Sequence, residues 1–320
     1  MTSLQPTAPT RLIDPAVLAR IGDLELVARV VVEGVINGLH RSPHLGSSMD
    51  FAEHRAYMPG DDIRRIDWKL FARSDRHFVK EFEADTNTNF TVLLDVSPSM
   101  YYGGSPTTLS KLDYGRYLAA CLAYLASTQR DRVGMVAFDD QIRDFIPPSA
   151  KHLNVVLHTL DRLAESSRRT VEGAGVPPRM PTALADVTRR IGESFRRRSM
   201  VLLISDFYEE PRAILDALAY LRGKGNDLMV FHVLDRRELD FPFTDSANFV
   251  DLETGVRMPV IPDYLRAQYR DLVAGHIATL RRLLGENKID YAMFETDQPL
   301  DHALFRYLSS REQFRRGGRR

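Results

Sequence analysis

Two apolar segments of the sequence are each followed by oxygen-bearing side chains of the kind that bind hard metal ions. The first segment is followed by a carboxylate and two hydroxyls at positions i, i+2 and i+4, and the second by a Ser-Asp pair. A loop threonine lies between the two segments. Carboxylate and hydroxyl oxygens suit octahedral Mg²⁺, or Mn²⁺, better than they suit zinc. The candidate ligands are Asp95, Ser97, Ser99, Thr182 and Asp206.

An alternative explanation for the first segment needs no metal. Asp and Ser residues that follow a strand commonly make turns or cap the next helix. The pentapeptide 95–99 is too short to exclude that alternative by itself. The other candidate ligands follow it in order, each at the end of a predicted strand or in a loop that opens a helix. This context favours a metal site.

The elements that must position these ligands alternate in type. Short apolar runs predict buried strands, and apolar residues at helical spacing predict amphipathic helices. Such alternation predicts an α/β fold with a doubly wound, mostly parallel sheet that is covered on both faces. The predicted strands are 90–94, 133–138, 142–146, 200–204, 228–234 and 289–295, and the predicted helices are 112–129, 153–163, 183–195, 211–224, 262–286 and 300–309.

The expected place of the site follows from this fold class. In open α/β sheets, ligands bind beyond the carboxyl ends of the strands, at the point where the strand order reverses. Asp95 and Asp206 both end predicted strands, so we expect them at one edge of the sheet. Thr254-Gly255 separates two further short runs and predicts a small surface hairpin.

The residues before the sheet region differ in character. Asp14-Pro15 begins a predicted helix, and residues 41–88 are dense in Gly, Asp, Arg and aromatic residues. The apolar face of that helix comprises Leu18, Ile21, Leu24, Val27, Val30, Val31 and Val35. The predicted organisation is a helix and loop extension at 1–88, a sheet domain at 89–312 and a flexible basic tail at 313–320.

The ordered ligand segments resemble the metal-ion-dependent adhesion site of von Willebrand factor A domains. That site has the pattern D-x-S-x-S, then a loop Thr, then an apolar strand that ends in Ser-Asp. The resemblance implies that the three hydroxyl side chains would bind the ion, while Asp95 and Asp206 act directly or through water. One departure is Arg179-Met180-Pro181 before Thr182, where the family often has glycines. Proline restricts the backbone approach that glycine allows.

The segment before the sheet resembles the bacterial family called domain of unknown function 58, which places it just before a von Willebrand-like domain. The resemblance covers nearly the whole chain and includes Asp297-Gln298-Pro299-Leu300 near its end. One departure is Asp85-Thr86, where a Glu-Arg pair is expected. The matching positions are Gly38 to Ser42, Gly46, Phe51, Arg55, Tyr57, Pro59 to Asp62, Arg64, Ile66 to Lys69, Ala72 and Arg73.

Opposite charges alternate in this signature segment and predict a structural role. A salt-bridged network of its arginines and aspartates would fasten the segment to the sheet. Trp68, the single tryptophan, would pack as a core anchor. The alternative is that the segment forms a binding surface. The charged residues are Arg55, Arg64, Arg73, Asp61, Asp62 and Asp67.

Composition restricts the possible functions. Forty-three Lys and Arg balance forty-three Asp and Glu, so the chain lacks the basic excess of a protein built to hold nucleic acid. The single cysteine, Cys121, excludes an internal disulfide framework and fits a reducing compartment, the cytoplasm. No apolar run reaches the roughly 18 residues of a membrane span, and the start shows no signal-peptide pattern.

These observations predict Mg²⁺-dependent protein binding rather than turnover. The resemblance implies a partner ATPase of the MoxR-type AAA+ class, with this chain as its adaptor or cofactor. Two alternatives stay open: a metal-dependent hydrolase that uses the same carboxylates, and a structural scaffold with an empty site. Walker, H-E-x-x-H and G-x-S-x-G motifs are absent from the sequence. The three ligand segments also contain no His or Glu to act as a base.

Overall fold

The computed structural model describes residues 23–40, 54–56, 71, 78–80, 88–105, 108–171, 184–195, 197–301 and 304. The chain divides into two compact units, one of Met1–Val35 with Thr88–Arg320 and one of Ile36–Asn87. In the smaller unit, strands β1 (His54–Ala56) and β2 (Phe78–Lys80) form an antiparallel pair. Most of the proposed signature network, including Arg64, Asp67 and Trp68, lies outside the described residues.

A six-stranded sheet forms the centre of the larger unit. Its strands are β3 (Asn89–Asp95), β6 (Arg132–Phe138), β7 (Ile142–Ser149), β8 (Ser199–Ser205), β9 (Asp227–Leu234) and β12 (Asp290–Glu295). Their spatial order is β12-β9-β8-β3-β6-β7, and the edge strand β7 alone in this sheet runs antiparallel to its neighbour. The predicted α/β class with a doubly wound, mostly parallel sheet is therefore confirmed.

α-Helices accompany this sheet in the part of the chain that the structure describes. In chain order they are α1 (Leu24–His40), α2 (Lys111–Thr128), α3 (Leu153–Val171), α4 (Leu184–Ser194), α5 (Pro211–Gly223), α6 (Arg236–Asp240) and α7 (Pro262–Glu286). Helices α2, α4, α5 and α7 begin and end within one residue of their predicted bounds, whereas α3 continues past residue 163. The short α6 was not predicted. Of the predicted helix 300–309, only residues 300, 301 and 304 are described.

The described part of the first helix confirms most of its predicted apolar face, whereas Leu18 and Ile21 lie outside the described residues. Leu24, Val27, Val31 and Val35 are buried, but Val30 is 47% exposed. The prediction was therefore wrong for Val30, because a valine beside an apolar stripe need not point inward. The predicted helix start at Asp14 lies outside the described residues.

Two further strand pairs lie outside the main sheet. Strands β4 (Gly103–Ser105) and β5 (Thr108–Ser110) form one antiparallel pair. Strands β10 (Ala247–Val250) and β11 (Arg257–Val260) form another, the hairpin predicted around Thr254-Gly255. The first pair was not predicted, since short polar strands carry little periodicity.

The apolar strands predicted from the sequence form the core because both faces of the sheet are covered. Leu93 belongs to a buried cluster with Ile214 of α5 and Leu284 of α7. The next residue, Leu94, points to the opposite face. There a Cβ on Gly115 of α2 would lie 3.2 Å from the Leu94 side chain, so this helix approaches the sheet closely at its glycine.

The strand order reverses between β3 and β8. From β3 the chain passes to β6 on one side, and β8 then pairs on the other side of β3. The carboxyl ends of β3 and β8 flank the crevice where ligands of such sheets bind. Among the described residues, no helix combines the length and the apolar character needed to cross a membrane.

Candidate metal-binding site

The chain turns sharply where β3 ends, and Asp95 holds the turn. Its Oδ1 accepts a hydrogen bond from the Ser97 N–H at 2.8 Å, the pattern of an Asx turn. Its Oδ2 accepts from the Ser205 hydroxyl at 2.6 Å. Because Ser205 ends β8, this bond joins the ends of the two central strands. Asp95 therefore makes the turn that the metal-free alternative requires, and it also lies in the crevice.

The two serine hydroxyls of the segment lie side by side. Ser97 and Ser99 are buried, and their Oγ atoms are 3.0 Å apart. Ser97 precedes a short 3₁₀ helix, Pro98–Tyr101, but its side chain makes no capping hydrogen bond. The Ser97 hydroxyl therefore contacts the Ser99 hydroxyl rather than a backbone N–H of the helix, which the capping alternative does not explain.

Asp206 lies at the end of β8 and is bound by a buried lysine. Lys111 Nζ donates to Asp206 Oδ2 at 2.8 Å and to Glu238 Oε1 at 2.7 Å. Lys111 also donates to the Tyr208 hydroxyl at 3.0 Å. It is the first residue of α2, whose start is capped by the Ser110 side chain. Lys111, Glu238 and Tyr208 were not predicted as site residues. A lysine in the first turn of a helix is usually solvated.

The backbone after β8 adopts an unusual conformation that accompanies this contact. Phe207 has a φ of 46°, in the left-handed region that bulky side chains seldom adopt. Its N–H donates to the Ser205 hydroxyl at 3.2 Å, and its carbonyl accepts from His276 Nε2 at 2.7 Å. Backbone in this region concentrates at functional sites, where the surrounding contacts maintain it.

The carboxylates of this edge repel one another. Burial raises the pKa of Asp95 to about 7, and the nearby charge of Asp206 acts in the same direction. Burial also raises the pKa of Glu253, and the charge of Asp206 adds to that effect, although hydrogen bonds from Ser99 oppose it. A cation beside these groups would favour their charged forms.

Glu253 reaches the site from the β10–β11 hairpin. Its Oε1 accepts from the Ser99 N–H at 3.0 Å. A cavity of about 430 Å³ adjoins this contact and is lined by Ser99, Tyr102, Tyr208, Glu238 and residues 250–254. Sequence reasoning found the hairpin but not its contact with the site. The three ligand segments contain no Glu, but the folded chain brings Glu253 to the site.

The structure brings four of the five predicted ligands to one edge of the sheet. Asp95, Ser97 and Ser99 follow β3, and Asp206 follows β8. Thr182 lies outside the described residues. Two residues after it, Leu184 begins α4 and donates its N–H to Glu209 Oε1 at 3.0 Å.

The donors fit a small hard cation better than zinc. Among the described residues, no group of three or more His, Cys, Asp or Glu side chains is arranged to hold a metal ion. A site here would therefore depend on the paired serine hydroxyls together with the carboxylates. Hydroxyl and carboxylate oxygens are ligands for Mg²⁺ and Mn²⁺. A bound cation would also offset the mutual repulsion of the carboxylates.

Comparison with known proteins places the chain in a family. The family model described as "Protein of unknown function DUF58" matches residues 53–279. The chain belongs to this family. Two relatives of this chain are the uncharacterized protein Rv1480 of Mycobacterium tuberculosis and the uncharacterized protein Mb1516 of Mycobacterium bovis. Each is 28% identical over 303 residues, which cover 94% of this chain and 91% of the relative.

Solved structures with low sequence identity resemble this DUF58 chain. BatB from Bacteroides thetaiotaomicron is 15% identical, with a TM-score of 0.46 and coverage of 71% of this chain and 99% of that one. An aerotolerance-related membrane protein from Bacteroides fragilis is 15% identical, with a TM-score of 0.41 and coverage of 68% and 96%. The SpRpn10 VWA domain is 9% identical, with a TM-score of 0.31 and coverage of 68% and 93%.

The family match confirms the predicted DUF58 membership, and the strand order agrees with the doubly wound fold that the von Willebrand factor A resemblance implies. The sheet has its switch point between β8 and β3 and one antiparallel edge strand, β7.

Proposed function

We propose that the protein binds a partner protein through a Mg²⁺ or Mn²⁺ ion at the carboxyl ends of β3 and β8. The observation that carries the proposal is the buried hydroxyl pair of Ser97 and Ser99, with Oγ atoms 3.0 Å apart. The pair follows directly after Asp95, a carboxylate whose pKa burial and Asp206 raise to about 7. Buried hydroxyls beside repelling carboxylates are an arrangement that a hard cation stabilises.

Each ligand would have a distinct role. Ser97, Ser99 and Thr182 would offer hydroxyl oxygens, and Asp95 and Asp206 would bind directly or through water. A bound Mg²⁺ supplies positive charge and a coordination position for a further oxygen ligand. Lys111 neutralises part of the charge of Asp206, so a carboxylate from outside meets less repulsion. A Glu or Asp of the partner would make a charge-assisted contact there.

The surface near the cavity suits a protein partner rather than a small molecule. The β10–β11 hairpin and the first turns of α7 expose large apolar side chains, a feature of protein-binding surfaces. These residues are Val250, Val256, Met258, Ile261, Tyr264 and Leu265. The proposed partner is a MoxR-type AAA+ ATPase, with this chain acting in the cytoplasm as its adaptor or cofactor in complex assembly or chaperone-like work.

A second candidate function is metal-dependent hydrolysis. The observation that favours it is Glu253, which brings a carboxylate to within 3.0 Å of the Ser99 nitrogen. A hydrolase requires a base beside the water that attacks the substrate, and Glu253 is a residue of the right type. Binding without turnover remains our proposal, because the sequence carries none of the common hydrolase motifs.

Capture of partners from native lysate tests the proposal. The full chain is used as bait with Mg²⁺, with chelator, and as the variant Asp95→Ala. Asp186→Ala serves as the matched control, because Asp186 is an exposed α4 aspartate paired with Arg189. We expect an AAA+ ATPase that is retained by the wild type and the control in Mg²⁺ and lost in the other two conditions.

Two results would contradict the proposal. A partner that survives both chelation and Asp95→Ala binds elsewhere on the surface. Hydrolysis of phosphate esters by the purified chain, dependent on both Mg²⁺ and Asp95, would instead establish the enzyme function.

A further inference from the structure

The tip of the β10–β11 hairpin contacts residues 95–99 through the carboxylate of Glu253. Glu253 Oε1 accepts from the Ser99 N–H at 3.0 Å, between residues that are 154 positions apart. Ser99 is itself a candidate ligand. The hairpin therefore places its own acidic side chain beside the hydroxyl pair, on the same side as the cavity.

The turn that carries Glu253 is held by Asp251. The Asp251 side chain accepts from the Glu253 N–H at 2.8 Å and from the Thr254 hydroxyl at 2.7 Å. Gly255 closes the turn by donating to the Asp251 carbonyl at 2.8 Å, and its φ of 72° is one that a residue with a Cβ rarely adopts. Glu253 is thus positioned by its own turn rather than by a flexible loop.

The base of the hairpin is anchored separately, in an aromatic cluster. Phe249 of β10 stacks on Phe241 with ring centroids 5.7 Å apart and meets Phe243 edge to face at 5.1 Å. Tyr269 of α7 packs on Phe241 at 4.6 Å. The hairpin therefore has an apolar base packed against α7 and a polar tip that contacts Ser99.

The contact with Ser99 involves only one of the two Glu253 carboxylate oxygens. Glu253 Oε2 is buried and has no hydrogen-bond partner among the described residues. A buried acceptor without a partner costs free energy, and such atoms in native structures call for an explanation. A metal ion held by the neighbouring hydroxyls would be a cation that this oxygen could coordinate.

We propose that Glu253 occupies, within this chain, the coordination position on the ion that a partner's Glu or Asp would take. The inference rests on the proposed function, since it requires a cation at Ser97 and Ser99. In the isolated chain the hairpin supplies the acidic ligand itself and keeps the site closed. A partner binds by exchanging its own Glu or Asp for Glu253, so the site is engaged only by a partner that also displaces the hairpin tip.

Mn²⁺ bound to the full chain provides the test, because water-proton relaxation counts the exchangeable waters on the ion. An octahedral ion that loses one protein ligand gains one water. We therefore expect Mn²⁺ on Glu253→Gln to carry about one more water than on the wild type, with an affinity about tenfold weaker. Acetate should then displace that water from Glu253→Gln, and it should leave the wild type unchanged.

Two variants complete the experiment. Glu286→Gln makes the same charge change at the exposed end of α7, and it should behave as the wild type. Asp251→Asn keeps the Glu253 carboxylate but weakens its turn, so its hydration should lie between those of the wild type and Glu253→Gln.

The outcomes separate the two proposals. If all proteins bind Mn²⁺ with equal hydration and equal response to acetate, the metal site stands and the role of Glu253 is refuted. If the wild type and Glu253→Gln both fail to bind Mn²⁺, the proposed function itself fails, and this inference fails with it.

Discussion

The Lys111 ammonium donates to the Asp206 carboxylate at 2.8 Å, and these side chains are 0% and 4% exposed. Lys111 also bonds to Glu238, whose side chain is 11% exposed. Burial alone would lower the pKa of Lys111, but the charges of Asp206 and Glu238 outweigh burial and hold it above its ordinary value. The lysine therefore stays charged and is the positive partner of two carboxylates at the candidate site.

Replacing this lysine should destabilise the fold. Lys111→Met leaves the buried Asp206 carboxylate without its ammonium partner, and breaking a buried pair in this way costs about 3–5 kcal/mol. Chemical denaturation followed by circular dichroism measures the change. Arg282→Met is the control, because the Arg282–Glu286 pair is solvent-exposed and should contribute less than about 1 kcal/mol. Equal unfolding midpoints for the two variants would contradict this account of the Lys111 contacts.

The stability of the metal-free protein should depend on pH through Asp95. The folded-state pKa of Asp95 is about 7, above the value near 4 expected in the unfolded chain. A group whose pKa is raised by folding contributes stability at pH values below its unfolded-state pKa. That stability is lost as the pH rises through its folded-state pKa.

Asp95→Asn removes this titration. In the presence of chelator, the free energy of unfolding of the variant should rise by about 2–3 kcal/mol relative to that of the wild type between pH 5 and pH 8. Denaturant titrations at both pH values measure the difference. A difference between the two proteins that is the same at pH 5 and pH 8 would show that Asp95 has an ordinary pKa in the fold.

Divalent cations should stabilise the wild type by mass action. An ion that binds only the folded state contributes about 2.7 kcal/mol at a hundredfold excess over its dissociation constant. We expect Mg²⁺ to raise the melting temperature of the wild type and to leave that of Asp95→Ala unchanged. KCl at matched ionic strength controls for screening of surface charge. Equal responses to Mg²⁺ and KCl, with no heat of binding in calorimetry, would exclude the site.

The signature segment gives a prediction outside the described residues. If its charges form a fastening network, Arg64→Ala or Asp67→Ala should cost about 3–5 kcal/mol of stability. Metal affinity of the remaining folded protein should be retained. Thermal melting and Mn²⁺ binding, measured on the same samples, distinguish the two interpretations. A variant that melts like the wild type but loses a partner would establish the segment as a binding surface.

The sequence alone determined the sheet and the edge at which its polar residues meet. Strand β8 is wholly buried and β3 nearly so. A run of apolar residues that ends in a charged residue can be recognised in the sequence without a structure. Parallel strands in a doubly wound sheet bring their carboxyl ends to one side. Asp95 and Asp206 could therefore be placed together from the sequence, because the local pattern and the topology depend on backbone geometry and burial.

Only the tertiary structure decided which charges surround that edge. Lys111 begins an amphipathic helix, where a solvated lysine is the usual expectation, and its partners lie 95 and 127 residues away. The turn around Glu253 could be predicted from Thr254-Gly255, but its contact with Ser99 spans 154 residues. Local periodicity reports which face of an element is buried. The partner of a buried charge is set by how distant elements pack, and no local pattern of residues records that arrangement.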